Sequence, residues 1–236
     1  MSRVIENRGS VEMPAVNGLV IKTCGIMTAE HAVAAAEGGA HMIGMIFARS
    51  RRNVSIETAQ SIRAALDALP SRPLLVGVFV NEMHNTIRST AEAVRLDIVQ
   101  LSGDETPSEV ADCADHFPVL KALRFPAGTS FESALDEFKS YRLLVPGERL
   151  RFVVDTYHPG EYGGTGRLAD WGIAAELARR EEIMLAGGLT PDNVVQAARE
   201  VAPWGVDVSS GIERDGQKDH ELIEAFIANA RHARTH

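Results

Sequence analysis

The chain has 236 residues, 45 % of them hydrophobic, and a formal net charge of −8 at pH 7. That length suits one large domain, an α/β barrel typically needing about 250 residues, and no apolar run approaches the roughly 20 residues that span a bilayer. The acidic balance excludes a general nucleic-acid binder but leaves room for an anionic small ligand, which backbone dipoles and one or two local arginines can hold.

Residues 1–17 carry charges and Pro14 but lack the apolar segment of a signal peptide. They read as a loose extension ahead of a single domain over residues 18–236. Leu19–Thr23 is predicted as the first strand, closed by Cys24-Gly25. Thr28 caps an alanine-rich helix ending at Gly38-Gly39. His41–Phe47 is the second strand, and Ser55, with Thr58 in the usual acidic place of a capping box, heads a helix to Leu69. Leu74–Val80 is the third strand, after which Asn81 is expected to cap a helix to about Arg95. Asp97–Leu101 is the fourth, followed by a helix from Thr106-Pro107, and Val119–Leu123 the fifth, followed by a helix to about Leu143. Arg151–Asp155 is the sixth strand; the glycine-rich loop TYHPGEYGGTG and a helix starting at residues 168–171 come next.

The most telling stretch is Ile183–Glu213. Ile183–Ala186 is too short and apolar for a helix, and Gly187-Gly188 stops it. Thr190, Pro191 and Asp192 are expected to start a helix to about Ala202, and Val206–Val208 is an eighth strand ending in Ser209-Ser210-Gly211. Two successive strands thus open onto small residues whose backbone N–H groups are uncrowded, an arrangement that suits an anion. A final helix over Lys218–His232 turns Leu222, Ile223, Phe226 and Ile227 to one face. Eight strands alternating with helices, with an anion pocket after the seventh and eighth, predict an α/β fold of the (β/α)8 barrel type. A doubly wound open sheet is the alternative, but its glycine fingerprint after the first strand is missing.

Barrels place chemistry at the C-terminal ends of strands. Candidates there are Lys22 and Cys24, Arg49 and Arg52, Asn81, Gln100, Lys121 and Arg124, Asp155, Asp207 and Ser209. A lone cysteine ordinarily packs as a small hydrophobe, the reading that fits Cys113 in mid-helix. Cys24, at a strand exit directly before Gly25, would instead face the mouth as a thiolate base. Asp155 ends the run FVVD; alone it reads equally as a loop cap, yet a carboxyl at a barrel mouth can be tuned to donate a proton. Together the two make an acid/base pair of the kind an isomerisation needs. Of the cluster Arg49, Arg51 and Arg52, two are expected to be solvated and one to grip a carboxylate. Gly163–Gly166 reads as a mobile lid. The scattered histidines, with no HExxH, Walker or dinucleotide fingerprint, suggest neither metal nor nucleotide. With only two cysteines, in no metal-like spacing, a cytoplasmic protein without disulfides is expected.

From Leu19 onward the chain resembles the phosphoribosylanthranilate isomerase family of tryptophan biosynthesis. IKTCGI, FARSRRNVS, VGVFVN, DIVQLSGDE, VLKALR, VVDTYHPGEYGGTG, LAGGLTPDNV and GVDVSSGIE, with the G and KD that follow, fall in the family's order. The resemblance implies an Amadori rearrangement of a small phosphorylated substrate, without cofactor or metal, by a monomer or homodimer that engages neither nucleic acid nor membrane. It implies Asp155 as general acid, Cys24 as general base and Arg52 on the anthranilate carboxylate. It further implies Gly187, Gly188, Ser209, Ser210 and Gly211 around the phosphate, and Asp207 near the sugar hydroxyls. The family commonly has histidine where this chain has Ser102, and proline where it has Arg51. Rival readings are the sister barrel isomerase of histidine biosynthesis, or a dual-substrate enzyme, and a non-catalytic barrel that binds a phosphorylated ligand. The former typically carries aspartate in place of Cys24 and an internal half-barrel repeat, neither of which is evident here.

Overall fold

The structure, a computed structural model, describes Met13 and residues 18–126, 128–156 and 171–233. The loop after Thr156, with the expected lid at 163–166 and helix start at 168–170, lies outside the described residues, as does most of the N-terminal segment. Eight parallel strands close into one barrel: β1 (Val20–Cys24), β2 (Met42–Ile46), β3 (Leu74–Phe79), β4 (Ile98–Leu101), β5 (Val119–Phe125), β6 (Leu150–Thr156), β7 (Ile183–Leu185) and β8 (Gly205–Val208). Between and after them run α1 (Ala29–Gly38), α2 (Ile56–Asp67), α3 (His84–Val94), α4 (Pro107–Ala114), α5 (Phe131–Leu144), α6 (Trp171–Ala178), α7 (Val194–Val201) and α8 (His220–His232). The predicted (β/α)8 barrel is the observed fold. No helix among the described residues is long and apolar enough to cross a membrane.

Strand parity sorts the side chains into two layers, because successive residues of a strand point to opposite faces. Val20, Met42, Val76, Ile98, Leu120, Val153 and Met184 fill the inside of the barrel, joined by Met13. Ile21, Ile43, Leu75, Val99, Phe152 and Val206 point outward and pack under the helices. The inward register, continued upward, presents Cys24, Asp155, Asp207 and Ser209 at the C-terminal mouth.

The same parity corrects Lys121. Flanked by inward Leu120 and Ala122, it points outward, where it is buried with its Nζ 2.7 Å from Glu105 and 2.8 Å from the Gly103 carbonyl. It braces the β4–α4 loop and does not reach the mouth.

Most helix starts follow the expected capping chemistry. Thr28 and Ser55 accept from the N–H groups of His31 and Thr58, and Thr106 forms a full capping box with Glu109. Two differ. Asn81 does not cap α3: it takes a left-handed φ of 49°, receives the Asp104 N–H on Oδ1, and leaves Met83 at the N-cap position with no side-chain cap. Thr190 does not cap α7, which begins four residues later at Val194. The Asn193 amide instead closes the turn, accepting from Thr190 N–H and donating to the Gly188 carbonyl, each at 2.9 Å. The polar side chain nearest each turn served the loop, and the helix started where backbone groups were left over.

Candidate active site

A cavity of about 480 Å³ opens at the C-terminal mouth of the barrel. Its lining combines Cys24 from β1, Asp155 from β6, Asp207 from β8, Gln100 and Ser102 around β4, and three arginines, Arg49, Arg52 and Arg124. Gly187 and Gly188 after β7, with Ser209 and Ser210 after β8, line its other side. One cavity therefore gathers the expected acid, base, carboxylate-gripping arginine and anion loops. Gly211 is not among the lining residues; Asn81 and Lys121 lie elsewhere.

The anion loops are built from backbone. Gly187 and Gly188 both have left-handed φ values, 91° and 66°, which side chains with a Cβ rarely adopt. After β8 the chain tightens into a single 3-10 turn over Ser210–Ile212, the short extra helix typical of this barrel position. Ser209 Oγ is buried at the cavity with no hydrogen-bond partner among the described residues, and such groups normally find one. Gly211 works from behind: a Cβ there would overlap the Leu189 carbonyl oxygen and lie 3.1 Å from Thr190 Cα. Gly211→Ala is therefore expected to push the β7 and β8 loops apart, costing about 1–3 kcal/mol as overpacking does. Denaturant midpoints and the affinity for inorganic phosphate, both reduced, check this.

Electrostatics set the other groups. Lys22 is fully buried inside the barrel, one residue pair below the mouth, with Nζ 2.8 Å from Asp207 Oδ2. Burial alone would depress its pKa, but the Asp207 and Cys24 charges outweigh burial and raise it. Burial pushes the Cys24 thiol up, against the pull of the Lys22 and Lys218 ammonium groups. Cys113 is buried in α4 and pushed up to about 12 by burial, an inert packing thiol as expected.

Arg52 is a second finding that residue types alone did not disclose. Its side chain crosses over Gly25, where an added Cβ would lie 2.7 Å from Arg52 Cδ. Its guanidinium is already braced by Glu213, with Nε to Oε1 at 2.5 Å and Nη2 to Oε2 at 3.1 Å. Lys218 Nζ joins Glu213 at 3.0 Å and the Ser209 carbonyl at 2.8 Å, while Arg51 reaches Glu213 at 2.6 Å and the Gly216 carbonyl at 3.1 Å. Burial alone would raise the Glu213 pKa; the Arg52 hydrogen bond and Lys218 outweigh it and hold the carboxyl at about 2. Glu213 and Lys218 sit on an unforeseen hairpin, β9 (Glu213–Arg214) and β10 (Gln217–Lys218), turned by Asp215 and Gly216 at positive φ. The pairing of Asp215 with Gly216 is the local signal for that turn.

The family model for N-(5'phosphoribosyl)anthranilate (PRA) isomerase matches residues 21–229. The isomerase of that name from Roseiflexus sp. is 46 % identical over 217 residues, which cover 90 % of this chain and 98 % of the relative. The crystal structure of the Thermotoga maritima phosphoribosyl anthranilate isomerase superposes with a TM-score of 0.77 at 35 % identity, covering 91 % of this chain and 99 % of that one. A similar structure, TM-score 0.74 at 34 % identity over 91 % and 99 % of the two chains, is a complex with reduced 1-(o-carboxyphenylamino)-1-deoxyribulose 5-phosphate. With the motifs in order, the barrel closed and the cavity at its mouth, the chain belongs to the N-(5'-phosphoribosyl)anthranilate isomerase family.

Proposed function

We infer that the chain isomerises N-(5'-phosphoribosyl)anthranilate to 1-(2-carboxyphenylamino)-1-deoxyribulose 5-phosphate in tryptophan biosynthesis, with Asp155 as general acid and Cys24 as general base. The observation that carries these roles is that both side chains, from β6 and β1, line the cavity that the two anion loops also line. Asp155 gives its proton to the furanose ring oxygen, and the ring opens to a protonated Schiff base. The Cys24 thiolate then takes the C2 proton, leaving an enolamine that tautomerises to the ketone. Backbone N–H groups of Gly187, Gly188, Ser209 and Ser210 hold the phosphate, with Gly211 keeping the two loops in contact. Arg52, oriented by Glu213, faces the anthranilate carboxylate, and Asp207 accepts from a sugar hydroxyl. The related structure that holds the reduced product shows that a barrel of this kind accommodates a phosphorylated ligand of this size.

The test is the decay of phosphoribosylanthranilate fluorescence, with substrate generated in situ and purified protein added. Rapid decay that scales with protein concentration is expected. No decay from folded protein that still binds inorganic phosphate overturns the reading and directs attention to Arg51 and Ser102.

A further inference from the structure

We propose that Lys22 is a positioning residue of this reaction: wedged between Cys24 and Asp207, its ammonium is the counter-ion of the Cys24 thiolate and the anchor that aims Asp207 into the cavity. The proposal rests on Cys24 acting as the base and adds the group that makes it one.

The geometry is specific. Lys22 and Asp207 are register partners on the adjacent strands β1 and β8, both facing inward, with Nζ to Oδ2 at 2.8 Å. Cys24, two residues on along β1, shares the inward face, with Gly44 of β2 opposite it in register. A methyl group built on Gly44 would lie 2.8 Å from Cys24 Sγ and 3.2 Å from Lys22 Nζ, so thiol and ammonium converge on one small volume that Gly44 leaves free. Asp207 spends only one oxygen on Lys22. Its Oδ1 is buried without a hydrogen-bond partner among the described residues, at a residue that lines the cavity.

A fully buried lysine inside a barrel is costly unless its charge is used. Here one cation sits beside two acidic groups, the Asp207 carboxyl at 2.8 Å and the Cys24 thiol, which must ionise to act as a base. The charges reaching Cys24 are Lys22 from β1, Asp207 from β8 and Lys218 from β10. Arg49, Arg52, Arg124 and Asp155 line the same cavity. Among these Lys22 is the cation packed against the thiol from below, away from solvent, where screening is weakest.

A generic packing role and the proposed one differ in sign. Loosening the site would move the thiol titration the same way whichever partner is removed. Charge pairing moves it in opposite directions: Lys22→Met raises the thiol midpoint, and Asp207→Asn lowers it. Cys113→Ala leaves Cys24 as the sole thiol, so its ionisation can be followed in the full-length free enzyme by ultraviolet thiolate absorbance and by alkylation rate against pH. With Lys22→Met, kcat/KM at neutral pH is expected to fall on the order of 10²-fold and to recover as pH rises. Should Lys22→Met fail to fold, the charge-neutral Lys22→Met/Asp207→Asn takes its place, read against Asp207→Asn: removing Lys22 from that background is expected to raise the thiol midpoint, and no rise overturns the proposal. Opposite shifts support the proposal; shifts of one sign, or none with Asp207→Asn, overturn it. Opposite shifts with a rate that ignores thiolate content leave the ion pairing in place and overturn Cys24 as the base, so the two failures are separable.

Discussion

Asp155→Asn and Cys24→Ala are each expected to lower kcat by about 10²–10⁴-fold while leaving the affinity for a non-reacting product analogue within a few-fold. A positioned general acid or base contributes that much, and neither substitution touches the loops after β7 and β8 to which phosphate binding is assigned. In the proposed mechanism the two groups serve consecutive steps: ring opening needs a proton at the ring oxygen, and proton removal at C2 needs the Schiff base that ring opening creates. Loss of either therefore stalls the whole conversion, and the double variant should be little worse than the worse single one. The pH response supplies a second check. Burial raises the Cys24 thiol, and the active form is the deprotonated one, so wild-type kcat/KM should climb with pH through the thiol range. That climb should vanish in the residual activity of Cys24→Ala and persist in Asp155→Asn. Fluorescence decay under single-turnover conditions measures both. A Cys24→Ala enzyme at wild-type rate would remove the cysteine from the mechanism while leaving the family assignment untouched.

Much of this site was legible because the fold repeats one rule eight times. Each buried strand is a short apolar run that stops at glycine or a polar residue, so the residue ending the run marks the mouth; Cys24 and Asp155 were found that way. The rule stops one residue short of a side-chain direction. Lys121 ends no run, and its parity, fixed by Leu120 and Ala122 facing inward, sends it under the helices instead. Asn81 and Thr190 have the composition of helix caps, but Asn81 is taken by a long-range bond from the Asp104 N–H and the turn at Thr190 is closed locally by Asn193. The pairing of Lys22 with Asp207 joins residues 185 apart, and only the closure of β8 onto β1 brings them together. Glu213 gave the least warning: an exposed-looking acid after a glycine turn, it becomes the hub of three cations because the β9–β10 hairpin folds back toward the β2–α2 loop.

That hub makes Glu213→Gln the substitution with the largest expected effect on stability. The change keeps the shape and removes the charge, so Arg52 and Lys218, both buried, lose their shared counter-ion. Breaking a buried pair by removing one partner costs about 3–5 kcal/mol. The Arg51 arm adds little to this, because its side chain is 54 % exposed and exposed pairs are worth about 0–1 kcal/mol. The pH dependence identifies the cause. The folded-state carboxyl sits at about 2 against an ordinary 4.5, so an unfolded chain takes up the proton first as pH falls. The stabilisation is present in full above the ordinary carboxylate range and is lost as pH drops toward the folded value. Urea midpoints of wild type and Glu213→Gln should therefore lie far apart at neutral pH and converge as the pH approaches 2; a gap that stays constant would show that shape rather than charge is what matters there. Function should follow: with Arg52 unbraced and Lys218 no longer tied to both Glu213 and the Ser209 carbonyl, KM should rise more than kcat falls. The same carboxylate thus holds Arg52 on one side and, through Lys218, the loop after β8 on the other, and one substitution should loosen both.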